Sequence, residues 1–311
     1  MYNIWLGVDT SNYTTSVCAI AENNKYFSVK RPLYVKPSEK GVRQSDAVFM
    51  HVKNLPLAFN ELFNLVKGEW GNSYFVKAVG VSSTPRPIDG SYMPCFLSGV
   101  SVASAVASAL NVPLYSFSHQ EGHVRASIFG ADIDVPDSFY SFHLSGGTCE
   151  LLKTEKNQFG FDMKIVAESQ DITLGQLVDR VGVMIGLDFP CGAKLEELAT
   201  AKLCKIKICG DSQINLSGFE NKTKKMYENN ASKEDIASYV YSVIVAAIDK
   251  MLESREDVSL PVVFAGGVSG SKIVQSHAEK VCNAYFASPA LSSDNAVGIA
   301  LLTKEKFLKV N

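Results

Sequence analysis

Short apolar runs bounded by polar turn residues open the chain. Residues 3–9, NIWLGVD, read as a buried strand ending on an acid, and TTSVCAI and KYFSVKR follow as two further strands. Residues 45–68 then carry apolar side chains at helical spacing: Phe49, Leu55, Leu57, Phe59, Leu62, Phe63 and Val66. FVKAVGVSS is the next strand. VSVASAVASALN is a helix of small residues able to lie close on a sheet, and VPLYSFS returns as a strand that delivers the chain to His119.

The second half repeats the theme. SFYSFHLSGGTCELLKTE reads as strand, glycine turn, strand. GQLVDRVGVMIGL and AKLEELATAK are helices separated by the turn DFPCG, and residues 233–254 form one long amphipathic helix. LPVVFAGGVSGSKIVQSHAEKV is strand, Gly-Gly turn, helix, and a last helix starts after LSSDN. Two α/β halves, each opening with a strand pair around a polar turn, predict a duplicated two-lobed fold with a central cleft. The expected boundary lies near 130–137, giving lobes 1–131 and 132–311, the second with a helical insertion at about 170–255. Ligands of such sheets sit at the strand C-terminal ends.

Composition narrows the class. A chain of 311 residues with 46% hydrophobic and 20% charged residues has the make-up of a soluble globular protein. No apolar run approaches the ~20 residues that span a bilayer, and MYNIWLGVDTS lacks the features of a signal peptide, so a cytoplasmic protein without a membrane partner is expected. Seven cysteines at 18, 95, 149, 191, 204, 209 and 282, with no Cys-x-x-Cys pair, argue for reduced thiols and against a thiolate zinc site. A net charge of −2 does not advertise a nucleic-acid binder, although Lys202, Lys205 and Lys207, then Lys222, Lys224 and Lys225, form local basic spots.

SFSHQEGHVRAS, residues 116–127, places His119 and His123 four positions apart. On a helix over 118–130 the two imidazoles share one face and could share a metal ion; a pair of surface or capping histidines is the alternative. Asp294, at a helix start, is a candidate third ligand or an ordinary N-cap. In VDTSNYTTS, Asp9 and Ser11 are candidate catalytic groups, an acid at a strand end followed by hydroxyls. Leu144, Ser145, Gly146, Gly147 and Thr148 form a turn whose amides could meet an anion, or a simple hairpin. Gly266, Gly267 and Ser271 in FAGGVSGS could do the same at a helix start. Asp179 is either a surface acid paired with Arg180 or Arg43, or a carboxylate aimed at a ribose, with the turn at 190–192, ending in Gly192, against the same ligand.

In order and spacing, SHQEGH, LSGGT, LVDRVGVMIGLDFPCG, NLSGFENK, FAGGVSGS and SSDNAVGIA resemble the TsaD family of tRNA threonylcarbamoyltransferases, formerly called O-sialoglycoprotein endopeptidases, over about residues 3–304. The resemblance implies the α/β, two-lobed ASKHA (actin-like ATPase, ribonuclease H-like) fold. It implies one divalent ion, iron(II) or zinc, on His119, His123 and Asp294, and an adenylate on Leu144 to Thr148, Asp179 and Gly192. The implied reaction moves the threonylcarbamoyl group from threonylcarbamoyl-AMP, made by a partner enzyme, to the adenosine beside the anticodon of tRNA. TsaB-like and TsaE-like proteins are the implied partners. The chain departs from the family pattern at Asn12, Tyr13 and Thr14, where an acidic pair is usual, at Thr148 after the glycines, and at Ser271, where asparagine is usual. TPRPIDGSYMPCFLSG replaces a shorter Gly-Pro-Gly segment, and QDITLGQ keeps only Asp171 and Gly175 of an acidic run. These departures leave two other readings open: a non-catalytic paralogue that acts as partner to a complete family member, and another ASKHA enzyme, a small-molecule kinase or carbamoyltransferase. The peptidase name finds no support, because no Glu stands as the base of a His-Glu-x-x-His motif.

Overall fold

The computed structural model describes residues 1–11, 13–34, 42–200, 202–292 and 295–311. The chain divides into two compact units. In the first, β1 (Tyr2–Thr10), β2 (Thr14–Ala21) and β3 (Tyr26–Pro32) form an antiparallel meander, followed by α1 (Gln44–Trp70), β4 (Tyr74–Thr84), α2 (Phe96–Leu110), β5 (Leu114–Ser118) and α3 (His119–Gly130). The sheet order is β3-β2-β1-β4-β5, with β4 parallel to β1 and β5 parallel to β4. Ile4, Leu6 and Val8 alternate onto one face and pack with Val17 and Ala19 against Leu55, Ala58, Leu62 and Val66 of α1. The buried line of α1 runs Ala47, His51, Leu55, Ala58, Leu62, Val66, Trp70, close to the 3.6-residue period. Phe49 and Leu57, expected on that line, project to solvent from the other side.

The second unit contains β6 (Ser138–Leu144), β7 (Cys149–Lys156), β8 (Phe161–Ser169), α4 (Leu174–Met184), α5 (Gly192–Leu198), β9 (Gln213–Ile214), α6 (Ser217–Glu228), α7 (Lys233–Leu252), β10 (Val262–Ala265), a 3-10 turn at Gly267–Gly270, α8 (Lys272–Val281), β11 (Ala284–Phe286) and α9 (Pro289–Ser292). Its strand order is β11-β10-β6-β7-β8-β9. Apart from β9 this repeats the first sheet: β6 pairs antiparallel with β7, β8 follows, and β10 and β11 add parallel on the other side of β6. Strand β8 escaped the sequence reading; only Phe161 and Ala167 of its nine residues are buried. The helix α7, expected to be amphipathic, is buried almost all round from Ile236 to Ile248, because α4, α5, α6 and α8 all contact it.

The first unit gives way to the second at Gly130, near the expected boundary, and the chain later returns to the first. α10 (Val297–Val310) and residues 156–162 belong to the first unit. α10 lies on β1, β4 and α3. Lys304 Nζ donates to the Glu22 carbonyl at 2.6 Å and to Asn24 Oδ1 at 2.7 Å, and the amide of Ala296 donates to Ser16 Oγ at 2.9 Å. The approach requires glycines, since a Cβ on Gly298 would overlap the Gly122 carbonyl of α3, and one on Gly7 would meet the α10 backbone. Replacing Gly298 by Ala is therefore expected to lower stability by about 1–3 kcal/mol, the usual cost of overpacking, read as a lower urea midpoint with an unchanged slope.

Candidate functional site

The C-terminal ends of the parallel strands β1, β4 and β5 bring together residues distant in sequence. Asp9, near the end of β1, is 0% exposed. Its Oδ1 accepts from Ser82 Oγ of β4 at 2.5 Å and lies 2.8 Å from His119 Nδ1 at the start of α3. Its Oδ2 has no hydrogen-bond partner among the described residues. Which atom carries the hydrogen of the second contact depends on the His119 tautomer, and the ring's other nitrogen is Nε2. That Nε2 lies 3.0 Å from His123 Nε2, one helical turn on, and the rings stand at 81°. Phe96 of α2 flanks the His119 ring.

Two further residues shape this end of the sheet and escaped the sequence reading. Glu121 Oε2 accepts from the amide of Ser118 at 2.7 Å and from its hydroxyl at 2.8 Å, while Ser118 Oγ accepts from the Glu121 amide at 3.2 Å. This is a capping box, and its signal, Ser-x-x-Glu, stands in SHQE. The acid between the histidines is thus used to start α3. His51 of α1 is fully buried with Nδ1 2.8 Å from Thr15 Oγ1. Burial pushes its pKa below the ordinary imidazole value, against the backbone of Ser11 and the charge of Asp9, which act upward. Ser11 itself is buried. A lone histidine on the buried line between Ala47 and Leu55 was the visible signal.

Asp294 lies outside the described residues, and among those residues no group of three or more His, Cys, Asp or Glu side chains is arranged to hold an ion. The two imidazoles do fit half of such a site. Imidazole donors suit iron or zinc, the two Nε2 atoms face one another, and a buried carboxylate behind His119 is the support that metal-ligating histidines require.

In the second unit, β6 and β10 end side by side, with Ala265 opposite His143, so the two glycine turns are neighbours. Ser145 Oγ accepts from the amides of Gly147 and Thr148 at 3.2 and 3.0 Å, and the Ser145 amide donates to the Thr148 carbonyl at 2.8 Å. Gly146, Gly147 and Gly267 border open space where a Cβ would stand. Gly266, at φ +93°, lies against the Leu144 carbonyl too closely for any side chain. α4 closes on the first turn: Thr173, the N-cap of a capping box with Gln176, donates to the Gly146 carbonyl at 3.1 Å.

Asp179 faces inward from α4. Its Oδ1 accepts from the Cys191 amide at 2.9 Å, so it anchors the turn that leads into Gly192, while Arg180 pairs instead with Glu220 at 3.0 Å. Burial raises the Asp179 pKa, and the Cys191 amide partly offsets this. The start of α8, expected as an anion site, already faces an anion of the chain. Glu196 Oε1 accepts from Ser271 Oγ at 2.7 Å and from the Ile273 amide at 2.9 Å, and Ser271 Oγ caps the Val274 amide at 3.3 Å. Ser271 is therefore engaged as a cap, and the bare backbone of this turn is at Gly267, where a Cβ would meet open space. Asp171 is also a cap, accepting from the Leu216 and Ser217 amides at 2.8 and 2.9 Å at the start of α6. Burial would raise its pKa, but these amides, the Ser217 hydroxyl and the Ile172 amide together hold it at about 2.

Comparison with known proteins follows the same lines. The sequence profile of the family described as "TsaD: tRNA N6-adenosine threonylcarbamoyltransferase" matches residues 32–301. A protein of that name from Thermodesulfovibrio yellowstonii is 29% identical over 98% of this chain and 94% of its own length. Another from Fervidobacterium nodosum is 27% identical over 98% and 93%. Among solved structures, the activator of the 2-hydroxyisocaproyl-CoA dehydratase from Clostridium difficile with bound ADPNP superposes with TM-score 0.56 at 13% identity, covering 100% of this chain and 97% of that one. A ROK family glucokinase from Streptomyces griseus, with glucose and AMPPNP, gives 0.51 at 13% identity over 97% and 99%. The fold is that of the ASKHA class. Among the described residues no helix is long and apolar enough to cross a membrane.

Two outcomes are expected. Asp179→Ala should weaken AMP binding about tenfold in calorimetric titration, the scale of a lost hydrogen bond to a charged group; unchanged affinity would remove Asp179 from the nucleotide site. Asp171→Asn should cost about 1 kcal/mol as a lost charged cap. Because the folded pKa is depressed, the wild-type advantage is full above the ordinary carboxylate value near 4 and disappears as pH falls towards about 2. Thermal melts of both proteins across pH 2–6 check this.

Proposed function

The chain belongs to the TsaD family of tRNA N6-adenosine threonylcarbamoyltransferases, and we propose that it performs this transfer, moving the threonylcarbamoyl group of threonylcarbamoyl-AMP to N6 of the adenosine beside the anticodon of tRNA. The observation that carries the reading is the pair of imidazole Nε2 atoms facing one another at 3.0 Å within the family-matched stretch. His119 and His123 would hold a divalent ion, iron(II) or zinc, with Asp294 as the expected third ligand. When bound, such an ion supplies Lewis-acid polarisation of the acyl carbonyl and a template for the mixed anhydride.

The remaining work falls to the chain. Gly146, Gly147 and Gly267 border open space where a side chain would stand, and this bare backbone is assigned to the side of the adenylate phosphate. Asp179, held by the Cys191 amide, keeps a second oxygen to accept from a ribose hydroxyl. Asp9 fixes the His119 ring. In the transfer, the adenosine nitrogen forms a bond to the carbamoyl carbon, the bond from that carbon to the phosphate oxygen breaks, AMP leaves with the electron pair, and the proton lost by the nitrogen passes to solvent. Holding amine and carbonyl together supplies much of the rate. TsaB-like and TsaE-like proteins are the proposed partners, and the intermediate comes from a separate enzyme.

A second reading, a non-catalytic paralogue, is favoured by Tyr13 and Thr14 standing where the family carries an acidic pair. One assay separates the two. Purified protein is incubated with its partner proteins, threonine, bicarbonate, ATP and unmodified tRNA, and the nucleosides are analysed by mass spectrometry. The modified adenosine is expected with wild-type protein and should fall at least about a hundredfold with His119→Ala, since losing the support of a ligand alone costs about 10–100-fold and here the ligand itself is lost. No modified nucleoside from ion-loaded wild-type protein would overturn the transfer reading.

A further inference from the structure

We propose that Asp9, with Ser82 behind it, is the positioning pair that holds His119 in the tautomer with its hydrogen on Nδ1, so that Nε2 is kept as a donor atom. The inference rests on the cation assigned above to His119 and His123. It begins from an asymmetry within one carboxylate. Asp9 is fully buried, its Oδ1 receives both Ser82 Oγ and His119 Nδ1, and its Oδ2 receives no described hydrogen-bond donor. A buried carboxylate oxygen left without a donor is costly, so purely structural needs at this strand end would be met better by a neutral acceptor. What the acid adds is a group that only accepts, set against Nδ1.

The direction of the ring then follows. A histidine free in water favours the hydrogen on Nε2, the atom that here faces His123. With Asp9 accepting at Nδ1, the His119 hydrogen is drawn to the far side of the ring, and the lone pair of Nε2 points at the place shared with His123. Ser82, fully buried on β4, donates to the same Oδ1 and fixes its direction. β1, β4 and α3 thereby each supply one member of a Ser82–Asp9–His119 chain. Asp9 does not touch the reacting atoms on this view; it acts through His119.

The test uses the full-length protein and two readouts. Nitrogen-15 imidazole spectra of metal-free protein report the tautomer, and competition with a chelator reports the zinc affinity. Wild type should show His119 with hydrogen on Nδ1. Asp9→Ala should shift His119 to the Nε2–H form and weaken zinc binding by ~10–100-fold, the usual effect of losing such a support. Asp9→Asn, which keeps an acceptor, should restore the tautomer and part of the affinity. An unshifted tautomer in Asp9→Ala, or zinc affinity within about twofold of wild type, would overturn the proposal. Should Asp9→Ala fail to fold, Ser82→Ala takes its place: a severalfold loss of affinity is expected, and none would overturn the role of the pair. The tautomer is read without metal, so it stands apart from the cation assignment. That assignment fails separately if His119→Ala binds zinc as wild type does.

Discussion

A carboxylate placed where water does not reach must find donors inside the protein, and at the end of β1 that need organises the surroundings. Asp9 draws Ser82 from β4 and His119 from α3 to one oxygen. Its neighbour Thr10 does the equivalent on the other sheet face, donating to the Cys95 carbonyl at 3.1 Å and accepting from the Gly99 amide at 3.2 Å, which ties down the start of α2. α2 in turn sets Phe96 against the His119 ring. The Ser118–Glu121 capping box fixes where α3 begins and hence the phase that brings His119 and His123 onto one face. The imidazole pair is thus the product of three strand ends and two helix starts, each held by a named bond.

The two sheets share a strand order but use their strand ends differently. The first presents side chains with titratable nitrogen. The second presents backbone, with glycines at 146, 147 and 267 left bare and Gly266 folded against Leu144. Acids around both ends share a different task. Glu121, Asp171 and Glu196 all accept hydrogen bonds at the N-termini of helices, where the helix dipole and unpaired amides favour a negative charge. Each could pass for a chemical group when read from the sequence, and each is engaged in holding the frame.

That distinction marks how far the sequence could be read. Much of the strand and helix order followed from periodicity, without β8, β9, α6 and β11, and the glycine turns, Asp179 and the histidine pair were all visible as local patterns. Contacts made across the sheet were not. Ser82 carries no local signal, because it meets Asp9 only through the register of β4 beside β1. His51 was visible as one polar residue on an apolar line but was read as part of a helix. Strand β8 was passed over, with only Phe161 and Ala167 of it buried, and nothing local marks that α10 and residues 156–162 return to the first unit after the chain has left it. Local periodicity reports which face of an element is buried, and does not report which distant element buries it.

That return has a consequence for the order of events during synthesis. The face of β1 and β4 that carries Gly7 and Gly80 is covered by α10, residues 297–310. While the ribosome is still making the second unit, the first sheet has no cover there, and Trp5, Asp9 and the underside of α3 stand open to solvent or to other nascent chains. The first unit is therefore the first to be translated and among the last to be completed, and a chain that stalls before residue 297 leaves an apolar sheet for chaperones to guard.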